Sequence, residues 1–306
     1  MNQKSKILLA GCHGLLGQYI ISSKPDSCFL HGIDIDDVSL VHGTNYDHQK
    51  VDILKSREIK DLIEDVNPDI IINATAFTDV DECENRKEHC WQINVEGLEN
   101  IIKYAKRVNA KVIHISSDYI FDGKKEIYYP ADLGSPLNYY GKAKLAAENL
   151  LMGSGLDWAI LRTSILYDVD RLKGKENFVT WVIKNLKKGS RIRIVNDQWG
   201  NPTLARNLAE VVWRVISGNH SGIYNAAGSE TCDRLSFTNN IAETFDLDPG
   251  LIQQVTSAEL NQKAKRPLKI GLDISNTERD MKIKMYNIIE GLTIFKNDYL
   301  SLHRVN

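Results

Sequence analysis

The chain has 306 residues, 42% hydrophobic and 25% charged, a composition that excludes disordered and fibrous classes and a length that accommodates one large α/β core with a smaller lobe. Its formal net charge is −2 and no Lys/Arg-rich block occurs, so a nucleic-acid partner is not expected. The five cysteines, Cys12, Cys28, Cys83, Cys90 and Cys232, are odd in number and form no CxxC pair, which argues against a disulfide framework or a zinc site and fits a reducing cytoplasm.

In chain order, the first apolar run ends at Ala10 and is too short for a signal-peptide core or a membrane span. Residues 6–10 read instead as a buried strand closed by Gly11. Residues 15–23 read as a helix, and 28–34 as a second apolar strand ending in acid. Residues 56–66 carry Ile59, Leu62 and Ile63 at helical spacing. Pro68 stops that helix, and 69–73 (DIIIN) is a third buried strand. Residues 86–108 read as one long helix, 111–116 as a fourth strand, 139–151 as a helix and 158–163 as a strand. Beyond residue 165 the regularity falls. Helices are expected at 177–188 and 203–216, with a short strand at 191–195 between them and further segments at 222–226, 235–245 and 286–303. Strand–helix units whose strands are apolar on both faces predict an α/β fold with a doubly wound parallel sheet. The expected division is a dinucleotide-binding unit over 1–165 and a smaller α/β substrate lobe over 166–306. The boundary is soft, because no linker composition marks it.

Gly11-Cys12-His13-Gly14-Leu15-Leu16-Gly17 follows the first strand and opens the first helix. Glycine permits the tight turn, the approach of a pyrophosphate to the helix N-terminus, and close helix–strand packing. The spacing is GxxGxxG rather than GxGxxG, so its place between strand and helix carries the assignment. The second strand runs into Asp34, Asp36 and Asp37. An acid at that point accepts hydrogen bonds from an adenosine ribose and repels a 2′-phosphate, which favours NAD over NADP. The cluster leaves open which acid does so, and a solvated acidic loop is the competing reading.

Tyr140 and Lys144 stand four apart on a helix and face the same way. The fourth strand delivers Ser116 and Ser117 to the C-terminal edge of the sheet, where ligands sit in such folds. Ser, Tyr and Lys suit carbonyl reduction. The alkoxide formed by hydride arrival needs a proton, which a phenol can give if an ammonium lowers its pKa, and a serine hydroxyl can fix the substrate oxygen. Tyr139 lies on a different helix face from Lys144, so Tyr140 is preferred. Strand alternation lets only one of Ser116 and Ser117 face the cleft.

Taken together, GCHGLLG, NATAFTDVDECE, Asn94 in INVEG, ISSDYIFDG, SPLNYYGKAKLAAE, ILRTSILY and NDQWGNPT resemble the dTDP-4-dehydrorhamnose reductase family of extended short-chain dehydrogenases/reductases, over about residues 5–210. The later Arg266-Pro267 and Leu272-Asp273 also resemble the family. The resemblance implies Ser117, Tyr140 and Lys144 as the catalytic set. It implies Asp52 and Ile53 beside the adenine, the stretch Asn73, Ala74, Thr75 and Ala76 with Asn94 along the cofactor, and Thr78, Val80 and Tyr119 at the sugar. It further implies reduction of a nucleotide-linked 4-keto sugar with NADH or NADPH, and a homodimer. Two positions depart from the pattern. Leu15 stands where many such reductases have Gln, and Ile165 follows Arg162-Thr163-Ser164 where the family has a Trp that packs on the sugar. Trp199 is a candidate substitute aromatic. A non-catalytic subunit like the regulatory subunit of methionine adenosyltransferase, and a nucleotide-sugar epimerase, are the alternatives.

Other candidates have plainer readings. His31, His42 and His48 read as solvated loop residues. Asp79, Asp81, Glu82 and Glu84 form an acidic cluster that suits a helix start better than a metal. Cys12 reads as a small packed side chain, and Lys184, Lys187 and Lys188 as the favourable positive end of a helix.

Overall fold

The computed structural model describes residues 5–37 and 45–303; His42 lies outside them. The main sheet is formed by β1 (Ser5–Ala10), β2 (Cys28–Asp34), β3 (Tyr46–Lys50), β4 (Ile70–Asn73), β5 (Lys111–Ser117), β6 (Trp158–Thr163) and β7 (Gly222–Asn225), all but β3 from apolar runs. All seven pair in parallel, in the order β7-β6-β5-β4-β1-β2-β3. The order reverses at β1, which is the switch point where open α/β sheets bind ligands.

The connecting helices are α1 (Leu15–Ser22), α2 (Ser56–Val66), α3 (Val80–Asn85), α4 (Lys87–Trp91), α5 (Gly97–Val108), α6 (Tyr139–Met152), α7 (Phe178–Lys187), α8 (Ala205–Ser217) and α9 (Arg234–Thr244). Strand alternation explains the two core layers. Ile7 and Leu9 face a layer with Leu16 and Ile20 of α1 and Leu208 and Val212 of α8. Leu8 and Ala10 face the opposite layer, with Ile59 and Ile63 of α2 and Leu98 and Ile101 of α5. A third core, built on Val182, Ile183, Phe237, Ile241 and Phe295, fills the lobe beyond the sheet. The two regions interleave, since α8 and β7 follow residue 166 yet complete the main sheet.

Two elements depart from the sequence reading. β3, YDHQK, is largely polar and mostly not buried, so it carries no apolar pattern to read. The expected single helix over 86–108 is three pieces: α4, a π-helical turn Gln92–Glu96, and α5. The π turn holds Asn94, whose amide donates to Phe77 O and accepts from Phe77 N–H, both at 3.1 Å. The extra residue thus aims Asn94 at the strip that follows β4, a use typical of π-bulges at functional sites. Among the described residues, no helix is long and apolar enough to cross a membrane.

Candidate active site

The glycine loop is built from backbone constraints. Gly11 has φ +84°, and a Cβ there would lie 2.9 Å from the Ala74 carbonyl carbon. At Gly17 a Cβ would lie 2.2 Å from Gly11 O, so α1 closes directly on the strand. The free N–H groups at the start of α1, with Gly14, which carries no side chain, as the N-cap, suit the pyrophosphate of a dinucleotide. The residues present therefore fit a nicotinamide cofactor. Gly17→Ala is expected to lower stability by about 1–3 kcal/mol, the usual cost of overpacking, read as a fall in the denaturant midpoint; an unchanged midpoint would show that the loop opens without cost.

Of the three candidate acids at the end of β2, Asp34 turns into the loop. Its carboxylate accepts the backbone N–H of His13 at 3.0 Å and that of Ile35 at 2.9 Å. Lys173, arriving from the lobe, stands 3.8 Å from Asp34 and pairs with Asp36. The ligand atoms of Cys12, His13 and Asp34 lie close together, but burial pushes the Cys12 thiol up to about 12, which disfavours the thiolate that a metal binds. Asp52 accepts the Leu54 N–H at 2.9 Å and lines a separate hollow of about 610 Å³ beside Ile35. Ile53 is buried against Gly97, and Gly97 has no room for a side chain.

A cleft of about 500 Å³ opens at the C-terminal edge of the sheet. His13 to Leu16 form one wall, and Ala74, Thr75 and Ala76 another. Ser117, Tyr140 and Lys144 meet there, with Thr78, Val80, Tyr119 and Ile165 towards the lobe. α6 begins where Asn138 caps it by accepting the Gly141 N–H at 2.9 Å, which starts the helix so that Tyr140 and Lys144 share its inner face. Both are buried, at 8% and 1% exposure. Trp199 does not join the cleft. Pairing of Trp199–Gly200 with Cys232–Asp233 leaves its indole 41% exposed. Gly200 packs under Ile165, whose φ of +43° is an outlier for a β-branched residue.

The electrostatics differ from the simple ammonium–phenol picture. Burial pushes the Tyr140 phenol well above its ordinary value, and a hydrogen bond with Ser117 acts the other way. Lys144 donates to Ile115 O at 2.6 Å and lies 3.3 Å from His114 Nε2. Burial holds its pKa down at about 8, with Glu148 and Cys90 opposing that fall. Ser117 donates to Asp118 Oδ1 at 2.9 Å, and Ser164 to Asp118 Oδ2 at 2.6 Å. Burial raises the Asp118 pKa. Ser116 also lines the cleft, with its buried hydroxyl unpaired, so strand alternation does not keep it out.

Sequence reasoning missed Asp118, Ser164, Lys173 and Arg234. Asp118 sat in plain view beside Ser117; the others come from segments without periodicity. A second cavity of about 360 Å³ adjoins the cleft at Tyr119, Phe178 and Arg234, and adds Trp181, Arg193 and Arg266. Arg234 stacks on Phe178, 5.1 Å from the ring centroid. The acidic cluster after β4 serves structure: Asp79 caps α3 by accepting the Glu82 N–H, and Asp81 takes Arg266 in a bidentate pair at 2.7 and 2.9 Å. Lys184 of α7 pairs with Glu176, which precedes that helix.

A family model described as the RmlD substrate binding domain matches residues 5–300. The spore coat polysaccharide biosynthesis protein SpsK of Bacillus subtilis (strain 168) is 34% identical over 71% of this chain and 75% of its own length. Methionine adenosyltransferase 2 subunit beta of Pongo abelii is 31% identical over 75% of this chain and 70% of its own. The crystal structure of dTDP-4-dehydrorhamnose reductase from Bacillus anthracis str. Ames, in complex with NADP, superposes with a TM-score of 0.83 at 26% identity, covering 97% of this chain and all of that one.

Proposed function

The chain belongs to the RmlD substrate binding domain family, and from that premise we propose that it reduces the 4-keto group of a nucleotide-linked deoxysugar with NADH or NADPH, in the synthesis of a surface polysaccharide. The observation that carries this reading is the meeting of Ser117, Tyr140 and Lys144 in the cleft walled by the glycine loop. A bound nicotinamide supplies the hydride. Ser117 orients the substrate oxygen, and Tyr140, protonated because it is buried, gives that oxygen its proton. The second cavity offers guanidinium groups from Arg193, Arg234 and Arg266 beside Phe178 and Trp181, which suit the diphosphate and base of the activated sugar. Residues 1–165 act as the cofactor unit and 166–306 as the substrate lobe, interleaved through α8 and β7.

The test is cofactor oxidation by purified protein across a panel of nucleotide-linked 4-keto-6-deoxysugars. Oxidation that requires both the sugar and Tyr140 supports the reductase. Silence across the panel with cofactor binding intact favours the subunit reading, which the similarity to methionine adenosyltransferase 2 subunit beta keeps in view. NAD retained through turnover would instead identify an epimerase. The cytoplasm fits an odd number of cysteines with no CxxC pair, and the homodimer that the resemblance implies is checked by sedimentation.

Cofactor choice rests on Asp34 and Lys173. The acid suits a free ribose, whereas the cation 3.8 Å away suits a 2′-phosphate, so both cofactors are expected to work. Lys173→Ala is expected to weaken NADPH binding by about tenfold, the low end for a charged hydrogen bond, with NADH little changed. Equal losses for both cofactors would remove Lys173 from phosphate recognition.

A further inference from the structure

Behind the cleft, Lys144 is the end of a buried polar chain. Its Nζ lies 3.3 Å from His114 Nε2. His114 Nδ1 lies 3.2 Å from Asn73 Nδ2. Asn73 Oδ1 accepts the Thr75 N–H at 3.2 Å and the Thr75 hydroxyl at 2.5 Å. Asn73 and Lys144 are each 1% exposed and His114 is fully buried, so no solvent competes.

The donors fix the order of this chain. A backbone N–H can only donate, so the Asn73 atom facing Thr75 is its oxygen. The atom facing His114 is then the amide nitrogen, which also can only donate. His114 Nδ1 must therefore accept, and the one proton of the neutral ring sits on Nε2, facing Lys144. The ring stays neutral because burial, then the neighbouring Lys144, push its pKa well below the usual range. An Nε2–H can bond Nζ only when Nζ has a lone pair to offer, that is, as the neutral amine.

We propose that the Thr75–Asn73–His114 chain locks the imidazole as its Nε2–H tautomer and thereby biases Lys144 towards the amine, making His114 a positioning residue for proton delivery. This rests on the reading of Tyr140 and Lys144 given above. The other groups facing Lys144 favour the ammonium: Glu148, one turn along α6 and bound to Arg162 of β6, and Cys90 of α4. Burial and His114 oppose them, and the result is a lysine near the midpoint of its titration. Such a lysine completes the proton cycle. When the Tyr140 O–H bond breaks and its proton joins the substrate alkoxide, an Nζ–H bond breaks to restore the phenol. Nζ is left as the amine that accepts Nε2–H, and a solvent proton later returns it to ammonium.

The tautomer is read directly by two-bond ¹H–¹⁵N correlation spectra of ¹⁵N-histidine-labelled protein, with His114→Asn identifying the signal. The expected result is an Nε2–H pattern between about pH 6 and 9, with an inflection near the value of about 8 held by Lys144. An Nδ1–H tautomer, an imidazolium, or a shift flat across that range overturns the proposal. In turnover, the alkaline limb reports loss of the Lys144 proton. His114→Gln offers Nζ an acceptor oxygen, so the limb is expected to rise by about one unit, tenfold in the ionisation constant. An unmoved limb in a variant that folds with wild-type Tm equally overturns it. The spectra need no activity, so Tyr140→Phe retaining full turnover would sink the underlying reading without touching the tautomer result.

Discussion

Tyr140→Phe is expected to lower turnover by about two to four orders of magnitude, the usual share of a general acid, while cofactor affinity and Tm stay close to those of the parent. The reason is that the substitution deletes one oxygen and keeps the ring. That ring packs with Cys83, Cys90, Val95 and Ala143 and edge-on to Tyr119 at 5.8 Å, contacts that phenylalanine preserves. The hydroxyl, in contrast, has a single use in the cleft. Burial favours its protonated form, and its hydrogen bond with Ser117 ties it to the second group that would hold the substrate oxygen. Single-turnover reduction at saturating NADH, set beside cofactor binding by fluorescence, separates the chemical step from binding. A loss below tenfold would mean that another group delivers the proton.

How much of this was legible in the chain follows from where the signal is local. The glycine loop, the apolar strands and the Tyr140–Lys144 pair are written in short windows, and the structure has them at the switch point of the sheet. Strand alternation does not separate Ser117 from Ser116, since both line the cleft; what distinguishes them is that Ser117 is hydrogen-bonded to Tyr140 and Ser116 is unpaired. What the chain did not disclose depends on contacts between distant segments. Lys173 reaches Asp34 from a loop with no period. Arg193, Arg234 and Arg266 converge from three separate segments of the lobe. The π turn at Asn94 looks in sequence like uninterrupted helix, because a single inserted residue leaves the apolar pattern nearly intact. Trp199, a candidate replacement aromatic, is not among the residues lining the cleft; it sits in a two-residue pairing with Cys232–Asp233 that is too short to announce itself in sequence.

Arg162→Met is expected to destabilise the fold by about 3–5 kcal/mol, the scale for breaking a buried ion pair, read as a fall in the urea midpoint with the slope unchanged. Arg162 on β6 and Glu148 on α6 are both almost fully buried and meet through Nε at 3.0 Å and Nη2 at 2.8 Å. Arg162 also donates to Pro130 O at 2.9 Å. Methionine fills similar space but strips Glu148 of the Arg162 hydrogen bonds in a dry site, and that unpaired carboxylate, rather than the lost attraction, accounts for most of the cost. The double variant Glu148→Leu, Arg162→Met is therefore expected to recover most of the stability, because it removes both charges together. Glu148 also faces Lys144 and favours its ammonium, so the double variant should depress the alkaline limb of turnover even where it folds well. If the double variant were as unstable as the single one, packing of the guanidinium over Phe121, not the uncompensated charge, would be what holds α6 against the sheet.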